Sequence, residues 1–506
     1  MSGDLRREAW HASLAKLDEC GELFCGQSPS VSEVNEAGRG HPYFTGPEQW
    51  DGQSLRVEKW TEFPRRLVPD RCIFITVKGA GVGKLFPGAP GAIGRDIYAF
   101  HVHKEIDFRY VLYALNYSIA EVIGQAKGDI PGLSRGHIVG HSIYLPGPQE
   151  QRSIVAKIDE VFSELDKGFE NLAAAREQIK AYRHALLKYA FEGKLTAEWR
   201  AANRDKLVQP DLLLTHLQEE RQRYYETLLI SKRQETSDRN EGGGLRRMIR
   251  SRPKRSEAPV KRFHEEASPS CWTYVTLRDL ALDASLGKML DREKNRGHER
   301  VYLGNINVRW GSFDLDYSTT MKIEDREVSR YALRKGDLVI CEGGEPGRCA
   351  VWQGADDEVF IQKALHRVRF PAMYEPRFGY LYVLYANSTG KLEELFTGST
   401  IKHLTGEGLR QVTFPLCSGA EQAEIIRIVE QKLSLADELE NELESAINRA
   451  SAFRQSVLRR AFSGRLVPHD PNDVPASTLL ECIRAEREAK SSKPKKTTRH
   501  TKGEAA

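Results

Sequence analysis

The chain has 506 residues, 40% hydrophobic and 29% charged, which is enough apolar material for cores and too much chain for a single one, so two to four domains are expected. Its longest apolar runs, residues 72–77 and 380–386, fall far short of the roughly 20 residues of a membrane helix, and the first residues carry charge without an apolar signal segment, so the expected location is cytoplasmic. The formal net charge of +4 hides two basic segments, residues 232–262 with 11 Lys/Arg against 4 Asp/Glu and residues 490–502 with 6 against none, which leave the rest of the chain acidic.

In chain order, residues 1–145 hold short β-rich runs such as 71–77, punctuated by Gly and Pro, and a helix carrying Tyr110-Val111-Leu112-Tyr113-Ala114. They are predicted to form an α+β domain. Residues 146–230 are helical. Within them Ile154, Ile158, Val161, Leu165, Gly168, Leu172, Ala175, Ile179, Tyr182, Leu186 and Tyr189 follow one another by alternating steps of four and three, the seam of a coiled coil interrupted only at Gly168. A basic flexible linker, 231–269, contains Gly242-Gly243-Gly244. A second α+β domain is expected over 270–415, then a distal helical region, 416–489, and a basic disordered tail, 490–506. The distal seam reads Ile425, Val429, Lys432, Ala436, Leu439, Leu443, Ala446, Ala450, Phe453, Val457 and Arg460.

These regions repeat. A shift of 271 superimposes residues 150–195 on 421–466, 46 positions without a gap, of which 14 are identical, among them Glu150/Glu421, Gln151/Gln422, Asp166/Asp437, Arg183/Arg454 and Phe191/Phe462. Upstream, Tyr110-Val111-Leu112-Tyr113-Ala114 recurs as Tyr382-Val383-Leu384-Tyr385-Ala386. Downstream, Glu220-Arg221 recurs as Glu486-Arg487. Both long helices, expected to run for about 36 to 40 residues or roughly 54 to 60 Å, end at a glycine, Gly193 or Gly464, that serves as a C-cap. The globular parts between them differ greatly, as on a scaffold that presents two different binding surfaces.

Several chemistries are excluded. Eight cysteines form no C-x-x-C pair and no H-E-x-x-H occurs, so neither a disulfide framework nor a zinc site is indicated. Gly79-Ala80-Gly81-Val82-Gly83-Lys84-Leu85 is one residue short of a phosphate loop and places Leu85 where Ser or Thr would bind magnesium. Glu192-Gly193-Lys194 becomes Ser463-Gly464-Arg465 in the second copy, so a catalytic carboxylate there is not expected. No Asn-Pro-Pro-Tyr-like loop is present. The sequence reads as that of a binding and assembly protein, with no catalytic residue and no cofactor of its own.

The layout resembles the specificity (S) subunits of type I restriction-modification systems over nearly the full chain. Leu145-Pro146 followed by Glu150-Gln151-Arg152, and Phe414-Pro415 followed by Glu421-Gln422, resemble that family's approaches to its central and distal helices. Gly26-Gln27-Ser28-Pro29, Gly287-Lys288-Met289 and Gly398-Ser399-Thr400-Ile401-Lys402-His403-Leu404-Thr405 resemble its domain loops. The first domain departs from the pattern, with Gly132-Leu133-Ser134-Arg135 where the second has Lys402-His403-Leu404-Thr405.

The resemblance implies a fold of two α+β target-recognition domains alternating with two long helices that pair as an antiparallel coiled coil. It also implies a non-catalytic subunit that reads a bipartite duplex target. Two modification subunits would supply S-adenosylmethionine and methylate adenine N6, and ATP- and Mg-dependent restriction subunits would join for cleavage. Base edges are read by Arg or Lys on guanine and Asn or Gln on adenine. The candidates are Gln27, Ser28, Lys84, Ser134 and Arg135 in the first domain, and Lys288, Asn305, Asn307, Arg309, Arg348, Thr400, Lys402 and His403 in the second. Helix pairing and partner docking fall to Ile154, Ile158, Leu165, Leu172, Ile179, Leu186, Ile425, Val429, Leu439, Leu443, Phe453 and Val457. The first domain holds 16 basic and 17 acidic residues and the second 20 and 20, so attraction to DNA must come from local clustering or from the assembly. Two other readings stay open at the level of sequence: a coiled-coil adaptor that binds other proteins, and a complete modification enzyme with unrecognised catalysis.

Overall fold

The computed structural model describes residues 12–79, 81–124, 132–237, 268–291, 293–317 and 319–491. Most of the basic linker and the tail beyond residue 491 lie outside the described residues.

Among the described residues six helices longer than one or two turns form the frame: α1 (Phe108–Gly124), α2 (Pro148–Phe191), α3 (Pro210–Ser237), α4 (Pro376–Ser388), α5 (Gly419–Ala461) and α6 (Ala476–Ser491). At 44 and 43 residues, α2 and α5 are a little longer than the seam alone predicts, because they begin ahead of their first core residue. Both stop at a glycine in the left-handed region, Gly193 at φ 71° and Gly464 at φ 67°. There the amides of Lys194 and Arg465 fold back onto the carbonyls of Tyr189 and Arg460 at 3.0 and 2.8 Å, which satisfies carbonyls that a helix end leaves open.

The chain forms two compact units, residues 1–173 with 444–506 and residues 174–443. In the first unit, a four-stranded antiparallel sheet is built from β1 (Gly21–Cys25), β2 (Cys72–Thr76), β3 (Leu85–Pro87) and β4 (Ile97–Val102), in the order β1-β4-β2-β3. Every residue of β2 is buried, as befits a strand with neighbours on both sides and covered faces. Tyr110, Val111, Ala114, Leu115, Ser118 and Val122, spaced by threes and fours, form the buried face of α1, which packs on Ile73, Ile75 and Phe100. Beyond β2 the next strand is its antiparallel neighbour β3, and Gly83, just ahead of β3, donates its N–H to Thr76 O at 2.8 Å. That is the wrong context for a phosphate loop, which leads from a strand into a helix.

The second unit repeats this plan with β5 (Asp283–Leu286), β6 (Leu338–Cys341), β7 (Cys349–Val351) and β8 (Leu365–Arg369), ordered β5-β8-β6-β7. In each sheet the last strand in sequence lies beside the first. Helix α4 packs with this sheet through Phe378, Leu381, Tyr382, Tyr385 and Ala386. The fold class is therefore α+β, with one scaffold used twice.

The long helices run antiparallel within each unit. In the first, Ile154, Val155 and Ile158 share a core with Val457, Leu458 and Ala461, while Arg454 reaches Asp166 at 2.9 Å. In the second, Leu186, Leu187 and Ala190 share a core with Ile425, Ile426 and Val429, and Arg183 reaches Asp437 at 2.6 Å.

The seam differs from a strict heptad reading. Leu439 and Phe453 stand 56% and 53% exposed, and Tyr182 and Tyr189 are also exposed, whereas Arg183, Ala190, Glu440, Arg454 and Ala461 are partly or fully buried. The stripe advances by about 3.6 residues per turn, and a strict heptad by 3.5, so the contact face moves about 20° per heptad toward the next residue along. Ile154, Ile158, Leu186, Ile425, Val429 and Val457 are buried, and Leu165, Leu172, Ile179 and Leu443 are half-buried.

Each helix start is fixed by a buried glutamine. Gln151 accepts from Asp107 N–H at 2.9 Å and donates to Pro146 O at 2.9 Å. Gln422 accepts from Glu375 N–H at 2.8 Å and donates to Cys417 O at 2.9 Å and Met373 O at 3.1 Å. The repeat thus conserves a device that ties each long helix to the loop before α1 or α4. The far ends are exchanged between copies. Phe191, at the end of α2, packs edge-on against Tyr382 of α4, and Phe462, just beyond α5, packs edge-on against Tyr110 of α1. Helices α3 and α6 follow the same exchange. Arg221 of α3 donates to Arg278 O at 2.9 Å, and Arg487 of α6 donates to Gly21 O at 2.9 Å and to Asp18 O.

Candidate nucleic-acid interface

Antiparallel strand order brings separate loops to one end of each sheet. In the first unit, β1 and β2 end there, at Cys25 and Thr76, while β3 and β4 begin there, at Leu85 and Ile97. The loops after Cys25, between β2 and β3 and before Ile97 therefore share that edge. The loop before the short helix Arg135–Val139 joins them, because Leu133 N–H donates to Val77 O at 3.0 Å. Gln27, Ser28, Lys84, Ser134 and Arg135, far apart in sequence, all lie at this end, and all five are exposed.

Their side chains are not equally free. Ser28 Oγ accepts from Arg95 N–H at 3.2 Å. Ser134 caps the short helix, accepting from His137 N–H at 3.3 Å. Arg135 donates to Leu23 O at 2.9 Å. Among the described residues the side chains of Gln27 and Lys84 make no such bond.

The same edge recurs in the second unit, where β5 and β6 end at Leu286 and Cys341 and β7 and β8 begin at Cys349 and Leu365. The correspondence extends to individual bonds. Gly26 and Gln27 donate their amides to Ile97 O and Ile93 O, and Gly287 and Lys288 donate theirs to Leu365 O and Ile361 O. Gln27 and Lys288 are therefore structural equivalents, as are Arg95 and Lys363, each two residues ahead of the last strand.

Around the turn between β6 and β7, four elements converge. Asn305 Nδ2 donates to Gly343 O at 2.9 Å, Arg348 donates to Asn305 O at 2.9 Å, and Trp310 Nε1 donates to Glu345 at 2.7 Å. The loop Thr397 to His403 closes on itself through two backbone bonds of 2.9 Å, and Leu404 N–H anchors it on Glu342 O at 2.7 Å. Buried His366 holds the same anchor from below, its Nε2–H donating to Leu404 O at 2.9 Å. Burial, the main effect, holds the His366 imidazole below the usual histidine range, so it sits there neutral. Thr400, Lys402 and His403 lie exposed on this loop.

Asn305, Arg348, Thr400, Lys402 and His403 are thus brought together, with Asn305 Oδ1 and Arg348 Nε lacking a hydrogen-bond partner among the described residues. Three other candidates are committed to the fold. Lys288 is 7% exposed and ion-paired with Glu327. Asn307, 1% exposed, donates to Asp314 O and Tyr317 O at 3.0 Å and accepts from Gly304 N–H at 2.9 Å. Arg309 pairs with Asp314 at 3.0 Å.

Residues that sequence reading passed over also reach this edge: Arg95, Arg330, Lys363 and Arg410. The only signal for Arg95 and Lys363 is their position just before the last strand, which becomes visible once the pairing of that strand is known. Among the described residues no helix is long and apolar enough to cross a membrane, and no three His, Cys, Asp or Glu side chains converge as a metal site would need.

No family model matches the chain. It is similar to the type I restriction enzyme EcoDI specificity subunit of Escherichia coli, 23% identical over 403 residues that cover 77% of this chain and 78% of the relative. It is also similar to the EcoKI specificity subunit of Escherichia coli K12, 23% identical over 368 residues that cover 70% and 65%. A solved chain from a study of complex assembly and conformational transition of the type I R-M system shares the fold, with a TM-score of 0.62 at 13% identity over 90% of this chain and 98% of that one.

Proposed function

We propose, starting from a chain homologous to the specificity subunits of type I restriction enzymes, that this protein is the sequence-reading subunit of such a complex. Residues 1–145 and 270–415 act as target-recognition domains. Each reads one half of a bipartite duplex sequence with the loops gathered at its sheet end. One observation carries this reading: the Gln27 and Lys288 loops hold equivalent places on two copies of one sheet, while the side chains around them differ. A protein that must read two unlike half-sites needs that combination of constant frame and divergent edge.

The long helices supply the spacing. Helices of 44 and 43 residues each extend roughly 65 Å, more than the 34 to 36 Å between successive major-groove sites on one face of B-DNA. Their outward residues would dock two modification subunits, with restriction subunits completing the assembly. S-adenosylmethionine, ATP and magnesium belong to those partners, and this chain makes and breaks no bond. Methylation of adenine N6 requires the base to leave the stack at a cost of a few kcal/mol, which contacts on both half-sites offset. Action on chromosomal DNA places the protein in the cytoplasm.

The test is methylation mapping by single-molecule sequencing of host DNA with and without the gene. Loss of N6-methyladenine at one split motif is expected. An unchanged methylome in a strain whose partner genes are expressed would overturn the proposal.

A further inference from the structure

We propose that a basic pocket beside the base-reading loops of the second domain binds a phosphodiester of the DNA backbone. The proposal rests on the DNA-recognition reading and extends it to a site outside the base-reading candidates. The pocket is an open cavity of about 420 Å³ at the same end of the sheet, bordered by Ser285, Gly287, Arg330, Tyr331, Lys363 and Arg410. Among the described residues three cations line it and no carboxylate does. That is a local excess in a domain whose basic and acidic residues balance.

The state of each cation matters. Exposed Lys363 has no side-chain hydrogen bond or ion pair among the described residues, so its ammonium is free for a ligand. The Arg330 guanidinium rests over the Tyr331 ring at 5.1 Å, an arrangement that orients it while leaving its N–H donors available. Arg410 is already partly engaged, donating to Ala284 O at 3.3 Å and lying 3.8 Å from Glu407. Two unspent cations and one anchored cation around a cavity of this size suit a phosphate better than a base edge, which needs paired donors and acceptors in one plane.

A second observation comes from the repeat. Arg95, the structural equivalent of Lys363, is an exposed base at the same point before the last strand of the first sheet, with the exposed Asp96 carboxylate 3.9 Å away. Around it the side chains diverge, yet this position stays cationic. Recognition loops should differ between half-sites, whereas the backbone is the same in both. A charge kept at equivalent positions therefore fits the constant part of the ligand.

The test uses the full chain assembled with its modification subunits, and follows fluorescence anisotropy of a labelled target duplex and a scrambled duplex from about 50 to 200 mM salt. Lys363→Ala and Arg330→Ala are expected to weaken both duplexes by about tenfold at fixed salt, and each to reduce the slope of log affinity against log salt by about one. Affinity and slope unchanged in both variants, with wild type still preferring its target, would overturn the pocket alone. A wild-type assembly without preference for the target would remove the DNA-recognition reading and the pocket with it. Titration of inorganic phosphate separates the remaining source. If phosphate raises the melting temperature of wild type but not of Lys363→Ala while duplex binding is unaffected, the pocket serves a free phosphate ligand and the duplex proposal is wrong.

Discussion

Arg454 donates to Asp166 at 2.9 Å, and the residues that correspond to them in the other copy, Arg183 and Asp437, meet at 2.6 Å. Each arginine thus pairs with the aspartate of the opposite copy. Asp166, Arg183, Asp437 and Arg454 occupy matched positions of the 271-residue repeat, so one sequence feature creates two interhelix contacts, one in each unit. These groups are a third to three-fifths exposed, so each pair contributes little stability, about 0.2 to 1 kcal/mol, and acts mainly to fix which residues face each other.

Arg454→Asp is therefore expected to lower stability by less than about 1 kcal/mol, and the charge-swapped Arg454→Asp/Asp166→Arg pair to recover most of that loss. A double-mutant cycle from denaturant unfolding measures it. Zero coupling would remove the pair from the set of register contacts.

Glu421 makes a sharper prediction. It is fully buried, accepts from Trp272 Nε1 at 3.0 Å and Thr196 Oγ1 at 2.8 Å, and is ion-paired with Arg200. Glu421→Gln leaves the largely buried guanidinium without its counter-charge and turns an amide N–H toward one of the three donors. A loss of about 3 to 5 kcal/mol is expected. Urea unfolding of the purified chain would show it, and a loss under 1 kcal/mol would contradict the assigned contacts.

The seam can be tested against its own drift. Leu443→Asp and Leu172→Asp place a charge on the half-buried stripe and should disrupt helix pairing and partner assembly while each globular domain stays folded. Leu439→Asp, at a position 56% exposed, should leave the helix pair intact. Size-exclusion chromatography and melting curves compare the three. Equal damage from all of them would restore the strict heptad.

The His366 anchor predicts acid sensitivity. Its folded value is depressed, chiefly by burial, and the packing also brings Glu342 and Arg410 to bear on the ring. Above the unfolded value of about 6.5 both states are neutral and stability is complete. As pH falls below it, the unfolded chain binds a proton that the folded chain refuses, so stability declines toward the folded value. His366→Gln, which retains a donor for Leu404 O, should give a shallower fall of melting temperature between about pH 7 and 5. A slope identical to wild type would rule His366 out as the source. His101, His103 and His141, also depressed mainly by burial, contribute to the slope that remains.

Much of this was readable from the chain because it repeats. Gly193 and Gly464 marked both helix ends, and Tyr110 and Tyr382 both domain helices, since identical residues at a fixed offset need no geometry to interpret. The drift of the seam was not readable, because a three-four alternation assumes the very period that must be measured. Nor was the fate of Lys288 and Asn307. A lysine or asparagine in a loop has the same appearance in sequence whether it faces DNA or, as here, is taken up by Glu327 or by the Asp314 and Tyr317 carbonyls. Lys363 went unnoticed for the opposite reason. Its significance comes from matching Arg95, and that match exists only in backbone pairing.

The exchange of Phe191 and Phe462 has a consequence for how the protein is made. The core around Tyr110 is completed by Val457, Phe462 and helix α6, all of which leave the ribosome long after the first domain has emerged. At 5 to 20 residues per second, the roughly 270 residues that separate the two parts of the first unit take on the order of tens of seconds to synthesise. Throughout that interval the nascent domain exposes an aromatic face. The second unit, continuous in sequence, has no such wait, so the segment synthesised first is the last to be finished, and the demand for chaperone protection falls on it.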